Sequence, residues 1–205
     1  MRRLALSLVV LGFALSASAV ERPVHTFSIV ARDGETGEIG VAVQSHWFSV
    51  GSIVTWAEAG VGVIATQSFV EPAYGPRGLD LMKSGLSAEQ ALDALLLVDD
   101  GRDVRQVAMV DTQGRVAAHT GGKCIESAGH HVGDGYSVQA NMMLNDEVVP
   151  AMAAAYESAD GDLADRMLTA LVEGQEGGGD SRGTQSAAMQ IAVSETHLRA
   201  HETEA

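Results

Sequence analysis

The segment Thr26 to Gly51 constrains the fold more than any other part of this sequence. Its apolar residues recur at every second position on both sides of Asp33-Gly34, which is the period of a strand with one buried face. Aspartate and glycine are typical turn residues, so the segment predicts an antiparallel hairpin. The alternating apolar residues are Phe27, Ile29 and Ala31 before the turn, and Ile39, Val41 and Val43 after it.

The two faces of this hairpin differ in bulk. Gly40 and Ala42 leave the second face of the returning strand almost bare, so another layer or a ligand can approach its backbone closely. Thr26 opens the first strand with a hydroxyl. An N-terminal threonine can act as nucleophile and base together, because its own α-amine, with a pKa of about 7.7 to 8.0, can accept the hydroxyl proton. Thr26 is therefore a candidate nucleophile, and the alternative is that it only begins an edge strand.

The first 25 residues predict export. Residues 1–19 combine Arg2-Arg3, an apolar run and a small-residue cleavage site, which is the pattern of a secretory signal peptide. Residues 20–25 would then form a short leader ahead of Thr26. Because an internal threonine has no free amine, a nucleophilic Thr26 requires cleavage of the His25-Thr26 bond. The predicted location is the periplasm or the exterior, with no membrane association after signal cleavage.

The rest of the chain predicts an α+β domain over residues 26–193, followed by a polar tail over 194–205. A second hairpin, Ser52 to Trp56 and Val61 to Thr66, suggests four successive strands in one sheet. Ser87 to Gln90 is a capping box that begins a helix. A hairpin over residues 106–118, a loop over 119–135, a strand at 136–139, two helices after residue 145 and a last strand at 185–193 complete the prediction.

Charge and cysteine content limit the partners. The formal net charge of -14 disfavours nucleic acid, which is itself a polyanion. A single cysteine, Cys124, excludes an internal disulfide, and we expect a buried, inert thiol. His130 and His131 lie near Cys124, but their spacing fits no standard zinc set, so no metal is expected. The sequence leaves the oligomeric state open, and a homo-oligomer is compatible with it.

Several polar residues are candidates for a site, each with a structural alternative. Arg77 and Tyr74 lie in the loop predicted for Ser68 to Gly78, where Arg77 could hold a carboxylate or could pair with Glu71. His46 could be a general base or a packed surface residue. Asn141, just past a predicted strand, could stabilise an oxyanion or could turn the chain.

The glycine-rich segment Glu176 to Gly183 is predicted to be a loop. Its Asp180 and Arg182 could pair and shape a pocket wall, or the loop could simply be mobile. The segment lacks the lysine and the following helix of a phosphate-binding P-loop, and it enters a strand instead.

Several blocks in one order resemble the domain of unknown function 1028 family, which is assigned to the N-terminal nucleophile (Ntn) hydrolase-like superfamily. The resemblance extends over about residues 26–193. The blocks are TFSIVARD, GEIGVAVQS, ATQSFVEPAYGPRGL, QVAMVD, GRVAAHTG, GHHVGDGYSVQANMM and GGGDSRGTQSAA.

This resemblance implies a four-layer αββα sandwich, with two stacked, mainly antiparallel sheets between helices. It also implies a hydrolase of C–N bonds other than peptide bonds, acting on a small-molecule amide without a cofactor. Thr26 would attack, while Asn141 and backbone amides near Ser45 would stabilise the oxyanion. The substrate-binding residues would be Gln67, Tyr74, Arg77, Asp180 and Arg182. The alternative is a non-catalytic exported binding module, or one that resembles a toxin subunit.

Overall fold

A computed structural model describes residues 26–193 and 198–204. The predicted signal peptide and leader lie outside the described residues. Ten strands and five helices make up this part of the chain, together with a 3₁₀ turn at Arg102–Val104. The elements are β1 Thr26–Arg32, β2 Ile39–Ser45, α1 Gly51–Val54, β3 Thr55–Glu58, β4 Gly62–Ser68, α2 Tyr74–Lys83, α3 Ala88–Val98, β5 Arg105–Asp111, β6 Val116–Thr120, β7 Gly129–Gly133, β8 Tyr136–Asn141, α4 Val148–Ser158, α5 Leu163–Glu176, β9 Ser186–Ala192 and β10 Leu198–Glu204.

The predicted first hairpin forms, but its strands are buried on both faces and not on one. Strands β1 and β2 pair antiparallel, with Thr26 opposite Ser45 at one end and Arg32 opposite Ile39 at the turn. Asp33 closes the turn, because its Oδ1 accepts hydrogen bonds of 2.8 Å from the amides of Glu35 and Thr36. These bonds favour the ionised carboxylate, and together with the nearby Arg166 they lower the pKa of Asp33 in spite of its burial.

The prediction that the first four strands share one sheet is wrong. Strands β1 and β2 belong to a six-stranded sheet with the order β10-β9-β2-β1-β8-β7, and β3 and β4 belong to a four-stranded sheet with the order β3-β4-β5-β6. Both sheets are antiparallel throughout. The short helix α1 lies between β2 and β3, so the chain passes from one sheet to the other instead of continuing as a meander.

Three apolar cores hold these elements together. One core joins the six-stranded sheet to α4 and α5 through residues such as Phe27, Met152 and Met167. A second core lies between the two sheets and is rich in valine. A third core packs α2 and α3 on the four-stranded sheet around Ile64 and Met109. The chain is therefore a mixed α+β protein, with two antiparallel sheets facing each other and helices on their outer faces.

The bare face of β2 receives a helix and not a ligand. A Cβ atom placed on Gly40 would lie 2.6 Å from Met167 Sδ and 2.7 Å from Ile191 Cδ1. Helix α5 can therefore approach this strand only because residue 40 has no side chain. Of the two occupants that the sequence allowed, the structure selects the additional layer.

Three segments are more ordered than their sequences suggested. The loop predicted for Ser68 to Gly78 ends early, because α2 begins at Tyr74 and includes Arg77. Strand β7 forms within the loop predicted for residues 119–135 and pairs with β8. In the predicted polar tail, Leu198–Glu204 form the edge strand β10 against β9. The polar sequence of β10 did not indicate a strand, because its pairing depends on backbone hydrogen bonds with a distant partner.

Candidate functional site

The ends of four neighbouring strands lie side by side at one end of the six-stranded sheet. Thr26 begins β1 and lies between Ser45, the last residue of β2, and Asn141, the last residue of β8. Ser186 begins β9 and lies opposite Ser45. Antiparallel pairing thus places four polar side chains in one row, Asn141, Thr26, Ser45 and Ser186, although they are far apart in the sequence.

Thr26 is held from several directions. Its side chain is fully buried in the uncleaved chain, and its Oγ1 donates a hydrogen bond of 3.2 Å to Ser45 Oγ. Its carbonyl oxygen accepts hydrogen bonds of 3.3 Å from Gln67 Nε2 and from Asn141 Nδ2. The residue predicted to be the nucleophile is therefore fixed in position by both sheets.

A cluster of three glutamines lies between the sheets behind Thr26. Gln67, Gln106 and Gln139 are all fully buried. Gln106 Oε1 accepts from Gln67 Nε2 at 2.7 Å and from Asn141 Nδ2 at 2.9 Å. Buried amides are costly unless they are paired, and these form a connected network with each other and with the backbone of both sheets.

The sequence analysis assigned Gln67 to substrate binding, and it did not single out Gln106 or Gln139. In the structure Gln67 supports the strand that carries Thr26, because Gln67 Nε2 also approaches the Gln139 carbonyl and Gln67 Oε1 accepts from Ser28 Oγ at 2.7 Å. A signal was present in the sequence, since each glutamine lies within two residues of an end of its strand and adjoins apolar residues of that strand or a polar neighbour. Chain order alone could not show that the three strands bring these glutamines together.

Asn141 is adjacent to Thr26, but its amide is already engaged. Its Nδ2 donates to the Thr26 carbonyl and to Gln106 Oε1, and these two bonds use both of its N–H groups. Its Oδ1 is buried and has no hydrogen-bond partner among the described residues. In this geometry Asn141 positions Thr26. The predicted role as oxyanion donor would require one of the two bonds to break.

The backbone after Ser45 is engaged in a similar way. The His46 amide donates to Asp180 Oδ2 at 3.0 Å, so it is not directed toward a reacting carbonyl. The Ser45 carbonyl accepts from the Gln185 amide at 3.1 Å. The His46 side chain is partly exposed, and its Nδ1 is buried with no hydrogen-bond partner in the described part of the chain.

Asp180 and Arg182 form the ion pair that the sequence suggested. The Arg182 guanidinium donates from Nε to Asp180 Oδ1 at 3.2 Å and from Nη2 to Asp180 Oδ2 at 3.1 Å. The Asp180 side chain is fully buried, while that of Arg182 is 35% exposed. Asp180 accepts from the His46 amide and forms a β-bridge with Met143, so the ion pair lies beside the strand ends that carry Ser45 and Asn141.

Tyr74 and Arg77 lie elsewhere. They are on α2, where they line a cavity with Glu71 and Asp99 that includes none of the residues around Thr26. The structure therefore does not bring them together with Asp180 and Arg182. The alternative pairing of Arg77 with Glu71 does not form either, because Glu71 Oε1 accepts from the Ala73 amide and no ion pair joins the two side chains.

A groove lies beside the row of strand ends, along the β7 edge. Its volume is about 570 Å³, and its lining includes Thr120, Cys124, His130 and Asp146. Thr120 Oγ1 lies 2.8 Å from His130 Nδ1 and accepts from Gln106 Nε2 at 2.9 Å. Hydrogen bonds thus connect the groove to the glutamine cluster behind Thr26. Burial lowers the pKa of His130, and the neighbouring His119 and His131 lower it further.

Two other features bear on the chemistry of this region. Cys124 lines the groove and is only partly buried; its Sγ donates to the Arg105 carbonyl, and burial raises the pKa of its thiol. Such a thiol is a weak nucleophile at neutral pH. Within residues 26–193 no three His, Cys, Asp or Glu side chains lie close enough together to hold a metal ion.

Backbone strain is found next to the strand ends. Ser68 and Met142 have φ angles of 68° and 58°, in the left-handed region that residues other than glycine seldom adopt. Ser68 ends β4 one residue after Gln67, and Met142 directly follows Asn141. Strain of this kind persists only where surrounding contacts enforce it, and it is concentrated at functional sites in proteins.

Fold and site together define a mixed α+β protein with two facing antiparallel sheets and a buried polar network at one end of the strands. The chain belongs to the family of unknown function DUF1028, whose family model matches residues 26–204. No curated protein matches it. Among the described helices, none is both long enough and apolar enough to cross a membrane.

Solved structures support the same fold. One of 29 matching chains is the crystal structure of protein SPO2555 from Silicibacter pomeroyi, also described as DUF1028. It is 29% identical to this chain and superposes with a TM-score of 0.81. The match covers 88% of this chain and 78% of SPO2555.

Proposed function

We propose that this protein is an exported hydrolase of non-peptide amide bonds, in which Thr26 becomes an N-terminal nucleophile after cleavage of the His25-Thr26 bond. The proposal assigns the two-sheet architecture to the αββα sandwich of the Ntn hydrolases. The observation that carries it is the position of Thr26, at the start of a central strand with its Oγ1 hydrogen-bonded to Ser45 Oγ at 3.2 Å. Hydrogen bonds from both sheets to the Thr26 carbonyl support it further.

The reaction follows from the chemistry of an N-terminal threonine. The free α-amine accepts the proton of the Thr26 hydroxyl as Oγ1 attacks the substrate carbonyl. The C–N bond then breaks, the amine returns the proton to the leaving nitrogen, and water hydrolyses the acyl-enzyme ester. Ser45 orients Oγ1, and Asn141 with Gln67 fixes the backbone of Thr26.

Arg182 is the residue best placed to select the substrate. Its guanidinium has five N–H donors, and the Asp180 pair uses two of them. The remaining donors can bind a carboxylate on a small amide substrate. The groove lined by Thr120 and His130, which hydrogen bonds connect to the glutamine cluster behind Thr26, offers space for the rest of the molecule. No cofactor takes part in this scheme.

A combined measurement tests the proposal. N-terminal sequencing and intact mass of the exported protein are expected to identify Thr26 as the first residue. That processed protein should hydrolyse members of a panel of small amides and acyl amino acids. Thr26→Ala should abolish turnover while leaving the protein folded, at a cost of about 1 to 3 kcal/mol in the free energy of unfolding because a buried hydroxyl and its bond to Ser45 are lost. Thr169→Ala, on the exposed face of α5, is the matched control and should leave turnover unchanged. Equal turnover in Thr26→Ala would refute the role of Thr26.

A non-catalytic exported binding module is the second candidate. Two observations favour it: Thr26 is fully buried in the uncleaved chain, and both N–H groups of Asn141 are engaged. If residues before Thr26 persist in the exported protein, the free-amine mechanism fails and this candidate is preferred.

A further inference from the structure

A second cavity lies between α2 and the end of α3, apart from the strand ends around Thr26. Its volume is about 180 Å³, and it combines charged, aromatic and aliphatic side chains. The residues that matter to its chemistry are Glu71, Tyr74, Arg77, Leu95, Val98 and Asp99.

The floor of the cavity is a closed hydrogen-bond network. Tyr74 is only 3% exposed, and its hydroxyl donates to Asp99 Oδ2 at 3.0 Å. Arg105 Nε donates to the same oxygen at 2.9 Å, and the Gly101 amide donates to Asp99 Oδ1 at 2.7 Å. Burial would raise the pKa of Asp99, but these bonds outweigh it and lower that pKa. Asp99 is thus an ionised carboxylate whose charge is already paired with Arg105.

The walls carry the charges that remain available. Arg77 is exposed, and within the described part of the chain its guanidinium makes no hydrogen bond or ion pair. The Glu71 carboxylate accepts one hydrogen bond, from the Ala73 amide at 3.0 Å to Oε1. One available cation and one carboxylate with a spare oxygen therefore line the same cavity. A simple anion or cation would use only one of them.

The third kind of wall is aliphatic. Leu95 is 7% exposed and Val98 is 74% exposed, so one side of the cavity is apolar and open to solvent. Burial of an apolar ligand group against these side chains is favourable, at about 25 cal/mol per Å² of buried area. A ligand that satisfies all three walls has a carboxylate, an ammonium group and a short aliphatic group.

We propose that this cavity binds a free α-amino acid with an aliphatic side chain. Arg77 pairs with its carboxylate, Glu71 accepts from its ammonium group, and Leu95 and Val98 contact its side chain. The inference goes beyond the proposed hydrolase function, since the cavity contains no residue of the Thr26 site. It also gives a role to Arg77, which lines a cavity that includes neither Asp180 nor Arg182.

Calorimetric titration of the full chain with L-leucine tests the proposal, with N-acetyl-L-leucine and L-leucinamide as matched ligands. The first analogue lacks the ammonium group and the second lacks the carboxylate. Each should bind at least about tenfold more weakly than L-leucine, because each loses one charge-assisted hydrogen bond. Absence of leucine binding, or equal affinity for leucine and either analogue, would overturn the proposal.

Variants locate the binding. Arg77→Gln and Glu71→Gln should each weaken leucine binding at least about tenfold. The Glu71→Gln side chain retains an oxygen that can accept from the Ala73 amide, so the start of α2 is preserved.

Lys83→Gln removes a cation from the far end of the same helix and should leave the affinity unchanged. Thr26→Ala should also bind leucine normally, which separates this inference from the hydrolase proposal. Unchanged binding in Arg77→Gln would place the amino acid elsewhere.

Discussion

Gln67 and Gln106 lie opposite each other on strands β4 and β5, and Gln67 Nε2 donates a 2.7 Å hydrogen bond to Gln106 Oε1. This bond belongs to one sheet, yet each partner also bonds to the other sheet. Gln67 Nε2 approaches the Thr26 carbonyl, and Gln106 Nε2 donates to the Ala140 carbonyl at 2.9 Å. The pair is therefore a polar connection between two sheets that otherwise meet through apolar side chains.

Replacing Gln106 by leucine should strongly destabilise the fold. The change removes hydrogen bonds to Gln67, Asn141, Thr120 and two backbone carbonyls, and one buried N–H group of Asn141 loses its acceptor. Each lost bond contributes about 0.5 to 1.5 kcal/mol and the unpaired N–H adds to this, so we expect a loss of at least about 3 kcal/mol in the free energy of unfolding. Urea denaturation measures it. Gln113→Leu, in the exposed turn between β5 and β6, should change stability by less than about 0.5 kcal/mol.

Much of the local structure could be predicted from the sequence because it depends on near neighbours. The capping box at Ser87 forms as expected, with the Gln90 amide donating to Ser87 Oγ at 3.1 Å and Gln90 Oε1 accepting from the Ser87 amide at 2.9 Å. Asp162 caps α5 through a 2.9 Å bond from the Asp165 amide. Period-two alternation identified β1 and β2 in the same way.

The division into two sheets could not be predicted from alternation, because a hairpin has the same pattern whichever sheet receives it. The candidate site shows a similar limit. The sequence indicated Thr26, Ser45, Asn141, Asp180 and Arg182, and long-range strand pairing brings these together. It grouped Arg77 with Asp180 and Arg182 as substrate-binding residues because a guanidinium offers paired donors to a carboxylate. Helix α2 instead carries Arg77 to a different cavity.

Replacing Gly75 by alanine tests the close contact between α2 and β3. A Cβ atom at this position would lie 2.1 Å from Trp56 Cδ2, in a rigid ring that has no flexible end to move aside. Alanine favours helices by up to about 1 kcal/mol relative to glycine, but a clash in a packed region costs about 1 to 3 kcal/mol. We expect net destabilisation, visible as a lower thermal midpoint. Gly122→Ala, where a Cβ meets nothing within 4 Å, should leave the midpoint unchanged.

The Asp99 network predicts a pH dependence of stability. The pKa of Asp99 lies below its ordinary value of 3.8 in the folded chain, because hydrogen bonds from Arg105, Gly101 and Tyr74 outweigh burial. A lowered folded pKa gives stability that is complete above the unfolded pKa and is lost as pH falls through the folded one. Denaturation curves should therefore show Asp99→Asn to be less stable than the parent at pH 6. This difference should shrink below pH 3.8. A constant difference across this range would contradict the assignment.

Asp180→Asn tests whether the carboxylate holds the loop beside Thr26. Asp180 Oδ1 accepts from the Arg182 amide and Nε, and Oδ2 accepts from the His46 amide and Arg182 Nη2. Because both oxygens face donors, either orientation of an asparagine amide directs its own N–H groups against at least one donor. Hydrogen bonds to charged groups contribute about 1.5 to 3 kcal/mol each, so we expect a loss of at least about 2 kcal/mol in unfolding free energy.

The same variant should release the Arg182 side chain, which the Nε–H resonance of Arg182 would report as faster exchange with water. Asp160→Asn removes an exposed carboxylate from the loop between α4 and α5, so it matches the change in charge without touching the site. Its stability should stay within about 0.5 kcal/mol of the parent, with the Arg182 resonance unchanged. If Asp180→Asn behaved like this control, the ion pair would not be what orders the loop. Arg182 would then lack the fixed geometry needed to select a carboxylate substrate.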